Sequence, residues 1–133
     1  MNRVKHLWVF ILLVNLFSAL AYAEQKTGVV HLTQQQAIEK IQQDKKNTVL
    51  IDVRTVREYN AGHLPNAINI PHKDILNNLS LLDQYKGKDV ILYCHSGVRV
   101  KRVTDAADTG KVLYHLKGDY RAWRAQGLPI EKP

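Results

Sequence analysis

Apolar residues in this chain fall into short continuous runs, separated by stretches where they recur every three or four positions. Residues 29–32 and 112–116 read as strands. Residues 48–53 and 89–93 are near-continuous apolar runs, the mark of strands buried on both faces. Residues 67–70 read as a short strand stopped by Pro71. Between these runs the period lengthens. Thr33 and Gln36 have the spacing of a capping box and open a helix with Ala37, Ile38 and Ile41 on its apolar face. Thr55 and Glu58 repeat that spacing and open a short helix ending near Gly62. Further helices are predicted over residues 74–82 (Ile75, Leu79 and Leu82 on one face), 98–108 (Val100, Val103 and Ala107, ended by Gly110) and 120–125 (closed by Gly127). Strand and helix alternate throughout, which predicts an α/β domain with a mostly parallel sheet. Ligands of such sheets bind beyond the carboxyl ends of the strands.

The first residues follow another pattern. Arg3 and Lys5 precede an almost wholly apolar stretch, residues 7–20, and Ala21-Tyr22-Ala23 has the small-x-small form of a cleavage site. This is the pattern of a secretory signal peptide over residues 1–23. The apolar stretch falls short of the ~20 residues a membrane-spanning helix wants. Residues 24–133 are then expected as a single exported domain, periplasmic in a two-membrane bacterium, monomeric and free of the membrane. Cleavage leaves 110 of the 133 residues, and the formal charge falls from +7 to +5 because the removed stretch carries two bases and no acid. That balance favours small anions weakly. There is no basic stripe interleaved with aromatics, so nucleic acid is not an expected partner.

Cys94 is the only cysteine. An intramolecular disulfide is impossible, and an odd thiol in an exported chain points to a reactive or intermolecularly paired one. The bland alternative is a buried thiol acting as a small hydrophobe. The surroundings favour reactivity. Cys94 follows the strand at 89–93 and opens the loop Cys94-His95-Ser96-Gly97-Val98-Arg99, which leads into a helix. The first amides of a helix lack internal partners and carry partial positive charge. Gly97 permits a tight turn that gathers amides into an anion-binding nest, and Arg99 adds a fixed charge. Cysteines in such places have pKa values of ~3.5–7.5 against ~8.5 when free. A thiolate nucleophile that also binds an incoming oxyanion is the expected chemistry.

Three segments together resemble the rhodanese family. They are Asp52-Val53-Arg54 followed by Glu58-Tyr59 and Gly62-His63-Leu64-Pro65-Asn66-Ala67-Ile68-Asn69-Ile70-Pro71; the six-residue loop from Cys94 to Arg99; and Leu116-Lys117-Gly118-Asp119-Tyr120-Arg121-Ala122-Trp123 with Gly127-Leu128-Pro129. With the signal peptide, the chain resembles small single-domain periplasmic thiosulfate sulfurtransferases. The resemblance implies a rhodanese-like α/β fold, a central mostly parallel sheet of about five strands with helices on both faces. It implies that Cys94 takes sulfur from thiosulfate or a similar anionic donor, releases sulfite, carries a persulfide, and passes the sulfur to cyanide, a thiol or a protein acceptor. His95, Ser96, Gly97, Val98 and Arg99 would bind substrate, and neither cofactor nor metal is implied. Related phosphatases have a loop one residue longer. Phosphatase or arsenate-reductase chemistry is therefore the weaker alternative, beside a sulfur-relay module loaded by a partner protein and a thiol paired with another chain.

Asp52 and Arg54 stand at a strand end. By resemblance they are expected to brace the active-site loop from behind, with Arg54 paired to Glu58. Glycine is usual in the family where Asn66 and Asp119 stand here, and Lys101 and Arg102 take the place of small residues. Those two cations either raise the potential near the pocket or simply face solvent. His63 is expected to be structural, His72 to reach the pocket mouth and His95 to face water. Tyr120 and Trp123 are expected to be packing residues.

Overall fold

The computed structural model describes residues 28–107 and 112–133. The signal-peptide expectation for residues 1–23, Trp8 with it, and the Asp108–Gly110 end of one predicted helix lie outside these residues.

Five parallel strands form one sheet in the order β1-β5-β4-β2-β3: β1 (Val29–Leu32), β2 (Thr48–Asp52), β3 (Ile68–Asn69), β4 (Asp89–Tyr93) and β5 (Leu113–Leu116). Among the described residues five α-helices accompany them: α1 (Gln34–Gln43), α2 (Val56–Ala61), α3 (His72–Asn77), α4 (Val98–Ala106) and α5 (Asp119–Ala125). Alternate residues of β2 and β4 feed two apolar layers, one on each side of the sheet. Val49, Ile51, Val90, Leu92 and Cys94 pack with Ile75 of α3 and Val100 and Val103 of α4. Leu50, Ile91 and Tyr93 pack with Ala37 of α1, Leu64 and Trp123 of α5, with Tyr59 and Tyr120 at the rim. Every residue of β2 is buried, as its unbroken apolar pattern predicted.

Both predicted capping boxes form. Thr33 accepts from the Gln36 amide while Gln36 reaches back to Thr33, and Thr55 and Glu58 do the same for α2. Two elements differ from expectation. The strand at 67–70 shrinks to Ile68–Asn69, because the Ala67 amide closes a turn onto the Leu64 carbonyl and Pro71 offers no donor. The helix expected over 74–82 starts two residues earlier, directly after Pro71, and breaks at Asn78. The Asn78 Oδ1 accepts from the amide and hydroxyl of Ser80, and the chain continues as a 3₁₀ segment, Leu79–Tyr85. A short amide side chain that bonds nearby backbone competes with the helix ladder.

The chain runs outward to β3 after β2, and the other way to β5 after β4. The carboxyl ends of β2 and β4 therefore frame the point where the order reverses, the usual ligand crevice of an open parallel sheet. Asp52 pairs with Tyr93 there, and the next residue, Val53, donates its amide to the Tyr93 carbonyl at 2.9 Å. Cys94 is the following residue on β4's side.

Candidate active site

The loop Cys94–Arg99 turns directly from β4 into α4. Gly97 caps α4 at φ +95°, in the left-handed region that favours glycine. A Cβ there would also meet the Asp119 carboxylate at 3.2 Å and the His115 ring at 3.3 Å, so both conformation and space call for glycine. The tight turn brings the Gly97 amide to 3.0 Å from the Cys94 sulfur, donating to it. His95, Ser96 and Val98 are exposed, while Cys94 itself is only 1% exposed. The sulfur thus lies under its own loop. Of the loop amides expected to gather on the sulfur, the one hydrogen-bonded to it is Gly97's.

Arg99 lies within electrostatic reach of the thiol, and Glu58 first, with the sulfur adding less, holds its guanidinium above the ordinary value. It is held there by Glu58, with Nη1 donating to Oε2 at 2.7 Å and Nη2 to Oε1 at 2.9 Å. Glu58 had been expected to pair with Arg54; it pairs with Arg99 instead. The same Glu58 caps α2 through the Thr55 amide and hydroxyl. The Arg99 guanidinium, helped by those Thr55 bonds, holds the Glu58 carboxyl far below its ordinary value near 4.5. A carboxyl lowered in the folded state stabilises above its unfolded value, and that contribution fades as pH falls through the acid range. Glu58→Gln should therefore lower the urea midpoint at pH 7, and the gap to the parent should begin to narrow only as the pH falls below about 4.5, closing once the pH passes the depressed folded value. A gap that stays constant with pH would show that the carboxylate's charge is not what holds Arg99.

Arg54 is buried on the other side of the sheet. Its Nε donates to both Asp52 oxygens at 3.0 Å, its Nη2 to Oδ2 at 2.6 Å and to the Gly62 carbonyl at 2.7 Å. Its guanidinium lies 3.9 Å from the Tyr120 ring centre. Asp52, two residues back along the chain, points to the same face of the sheet as Arg54, whereas Glu58 turns toward the loop. Asp52 is fully buried and also accepts from the Tyr93 hydroxyl at 2.7 Å. Burial and the Asp52 charge push that phenol well above its usual range. Asp52 thus fixes the residue that precedes Cys94, and touches the loop only through Tyr93.

Asp119, to which the sequence alone gives no role, stands directly behind the nucleophile. It is 1% exposed, and its Oδ1 accepts the Cys94 amide at 2.8 Å. Its Oδ2 accepts from His115 Nε2 at 3.0 Å. The first turn of α5 adds two bonds, from the Tyr120 amide to the Cys94 carbonyl at 3.0 Å and from the Arg121 amide to the His95 carbonyl at 3.3 Å. Asp119 adopts φ +56°, a left-handed conformation directly after Gly118. The signal for it was already in the sequence: an acid where glycine is usual, tolerable there because Asp is among the few side chains that enter this region.

The remaining candidates scatter. His72 is buried beside Arg99, its Nδ1 without a hydrogen-bond partner. Burial first, then the charges of Arg99, Arg102 and Lys73, hold its imidazole below the ordinary value and hence neutral at pH 7. Arg102 is exposed but within electrostatic reach of that pocket. Lys101 is exposed and bonded to Asp105 at 2.7 Å, so its charge is largely spent on the surface. His63 stacks on Tyr59 with ring centres 3.7 Å apart, and His95 faces solvent.

Residues 33–126 match the family described as the Rhodanese-like domain. A sulfurtransferase from Allochromatium vinosum is 34% identical over 93 residues, which cover 68% of this chain and 84% of that protein. A tRNA uridine(34) hydroxylase from Buchnera aphidicola is 35% identical over 81 residues, 56% of this chain but 26% of the relative. The chain spans only about a quarter to two fifths of several such curated relatives. A thiosulfate sulfurtransferase from Pseudomonas aeruginosa superimposes with a TM-score of 0.65 at 21% identity, over 87% of this chain and 22% of that one, a likeness of fold.

Proposed function

The chain belongs to the rhodanese-like domain family, and from that premise we propose that it is a sulfurtransferase that carries sulfane sulfur on Cys94, with thiosulfate or a similar small anion as donor. The observation that carries this reading is the Cys94 sulfur at the carboxyl end of β4, bonded to the Gly97 amide at 3.0 Å. Family membership supports sulfur transfer in general; the donor and the residue roles are this reading's own.

In the first half-reaction the Cys94 thiolate attacks the outer sulfur of thiosulfate. The S–S bond of the donor breaks, sulfite leaves with the electron pair, and the protein keeps a persulfide. In the second, an acceptor nucleophile such as cyanide or a thiol attacks the terminal sulfur and returns Cys94 as thiolate. No external oxidant is needed. The Gly97 amide, the start of α4 and Arg99 supply positive potential where the anionic sulfur sits in both states. Glu58 fixes Arg99 without removing it from the pocket, and Asp119, Tyr120 and Arg121 hold the loop at its first two residues. Asp52 and Arg54 act at one remove, through Tyr93.

A thiol so thoroughly covered favours a donor that presents one slender, terminal sulfur over a bulky phosphoester, in line with the six-residue loop. The apolar N-terminal stretch and its small-residue cleavage pattern support export as part of the same reading.

The test is intact mass of the protein before and after thiosulfate, then after cyanide. A gain of one sulfur atom that cyanide removes is the expected result. No gain in folded protein would reject thiosulfate as the donor, and loading by a partner protein or phosphate-ester chemistry would then be tried on the same Cys94.

A further inference from the structure

Behind the loop, on the same face of the sheet as Cys94, two histidines meet. His31 of β1 and His115 of β5 are direct partners in the parallel register. Their Nδ1 atoms are 3.1 Å apart. His115 is held from the other side: Nε2 faces the Asp119 Oδ2 at 3.0 Å, and Asp119 is 1% exposed. An acceptor-only carboxylate selects the tautomer with the proton on Nε2. The Nδ1 of His115 is then an unprotonated lone pair aimed at His31. A carboxylate on the far nitrogen of an imidazole is the arrangement that orients metal-ligating histidines and raises their basicity.

The spacing fits an ion. Nitrogens about 2.0–2.1 Å from one centre and 3.1 Å from each other subtend roughly 98° at it. That angle lies between square-planar and tetrahedral coordination. Without an ion, His31 must donate its own Nδ1 proton to His115. With one, His31 moves that proton to Nε2 and both Nδ1 lone pairs are free to bind, with no change in net charge on either ring. The pair lies on the wall of an open groove of about 470 Å³, shared with Ser96, Gly97, Lys101 and Asp105. Among the described residues no group of three or more His, Cys, Asp or Glu side chains converges on a metal. The groove leaves the other coordination positions to water or a small anion.

We infer that His31 and His115 form a two-histidine site for a borderline divalent ion such as Zn²⁺, Ni²⁺ or Cu²⁺, with Asp119 as the carboxylate behind it. Imidazole suits these ions, and carboxylate-preferring Mg²⁺ and Ca²⁺ are excluded by the same preference. The site has a consequence for its neighbour. Asp119 holds His115 with one oxygen and the Cys94 amide with the other, so an ion on His115 is joined to the nucleophile's backbone through a single carboxylate.

The inference is independent of sulfur transfer, and so is its test. Zn²⁺ is titrated calorimetrically into protein whose thiol has been removed as a ligand, either as Cys94→Ser or by blocking Cys94 with iodoacetamide. One ion per chain is expected. His31→Ala in the same background should weaken binding by about tenfold or more, the scale on which even outer-shell losses act. His31 is exposed, so this replacement leaves the core and the Asp119–Cys94 bond in place. In ¹⁵N imidazole spectra, His31 and His115 should shift together and saturate at one equivalent. Equal Zn²⁺ affinity in His31→Ala, or shifts confined to His95 or another histidine, would overturn the site. So would the lack of saturable binding in both thiol-free backgrounds.

Discussion

Cys94→Ser will lose sulfur transfer by a factor on the order of 10⁴ or more, the scale seen when a covalent nucleophile is removed, and will remain folded. Two features of the structure separate these outcomes. The thiol is the atom on which the carried sulfur would sit, and a hydroxyl neither attacks sulfane sulfur nor holds it. In the fold the residue belongs to the apolar cluster that includes Val53 and Val100, and serine is close to cysteine in size. Its oxygen can still accept from the Gly97 amide, which now reaches the sulfur at 3.0 Å. The swap places a hydroxyl against an apolar layer, a cost of about 1–3 kcal/mol at most. The measurement pairs thiocyanate production from thiosulfate and cyanide with a urea melt. Turnover near the parent's in a folded variant would mean that the persulfide is not on Cys94. Loss of both activity and folding would be resolved by blocking the thiol in the native protein.

Asp52→Ala is the replacement expected to cost most in stability, about 3–5 kcal/mol, because it strands a buried charge. Arg54 is 2% exposed and its guanidinium directs three of the hydrogen bonds it makes to Asp52. The Tyr93 hydroxyl would lose its acceptor at the same time. The Gly62 carbonyl and the rings of Tyr120 and Tyr93 would still face Arg54. Replacing both members, as Asp52→Ala with Arg54→Met, should recover part of the loss, since a buried pair costs desolvation that an apolar side chain does not. Chemical denaturation of the three variants checks this. A loss below about 1 kcal/mol for the single change, the worth of an ordinary exposed pair, would show that water or another acceptor reaches Arg54.

The alternation of strands and helices was legible because each element carries its own period and its own cap. Thr33 with Gln36, and Thr55 with Glu58, mark helix starts from local chemistry alone. β2 is read from its lack of polar alternation. The errors have local causes too, but finer ones: Asn78 diverts a helix through its own side chain, and the Ala67 amide is used in a turn. The loop was legible because Cys94, Gly97 and Arg99 are neighbours in sequence. What stands behind the loop was not. Which acid pairs with Arg54 depends on the face of the sheet to which each points, and Glu58 and Arg99 meet only when the segments after β2 and β4 come together. Asp119 and His115 lie 25 and 21 residues beyond Cys94 and join it only when β5 lies beside β4. A departure from the family pattern at Asp119 was visible, but its meaning needed the carboxylate's position.

The strand order has one more consequence, for the order of events as the chain is made. Among the described residues β1 is the first strand to emerge, yet its one partner there is β5, some 84 residues later. The bonds that fix the first residues of the loop likewise come from residues 119–121, close to the carboxyl terminus. Such long-range closure is slow and comes late. A growing chain therefore exposes Cys94 well before Asp119, Tyr120 and Arg121 are there to hold it, and the loop acquires these bonds in the same step that seals the sheet. Until the final helix docks, the first two residues of the loop lack the bonds that fix them.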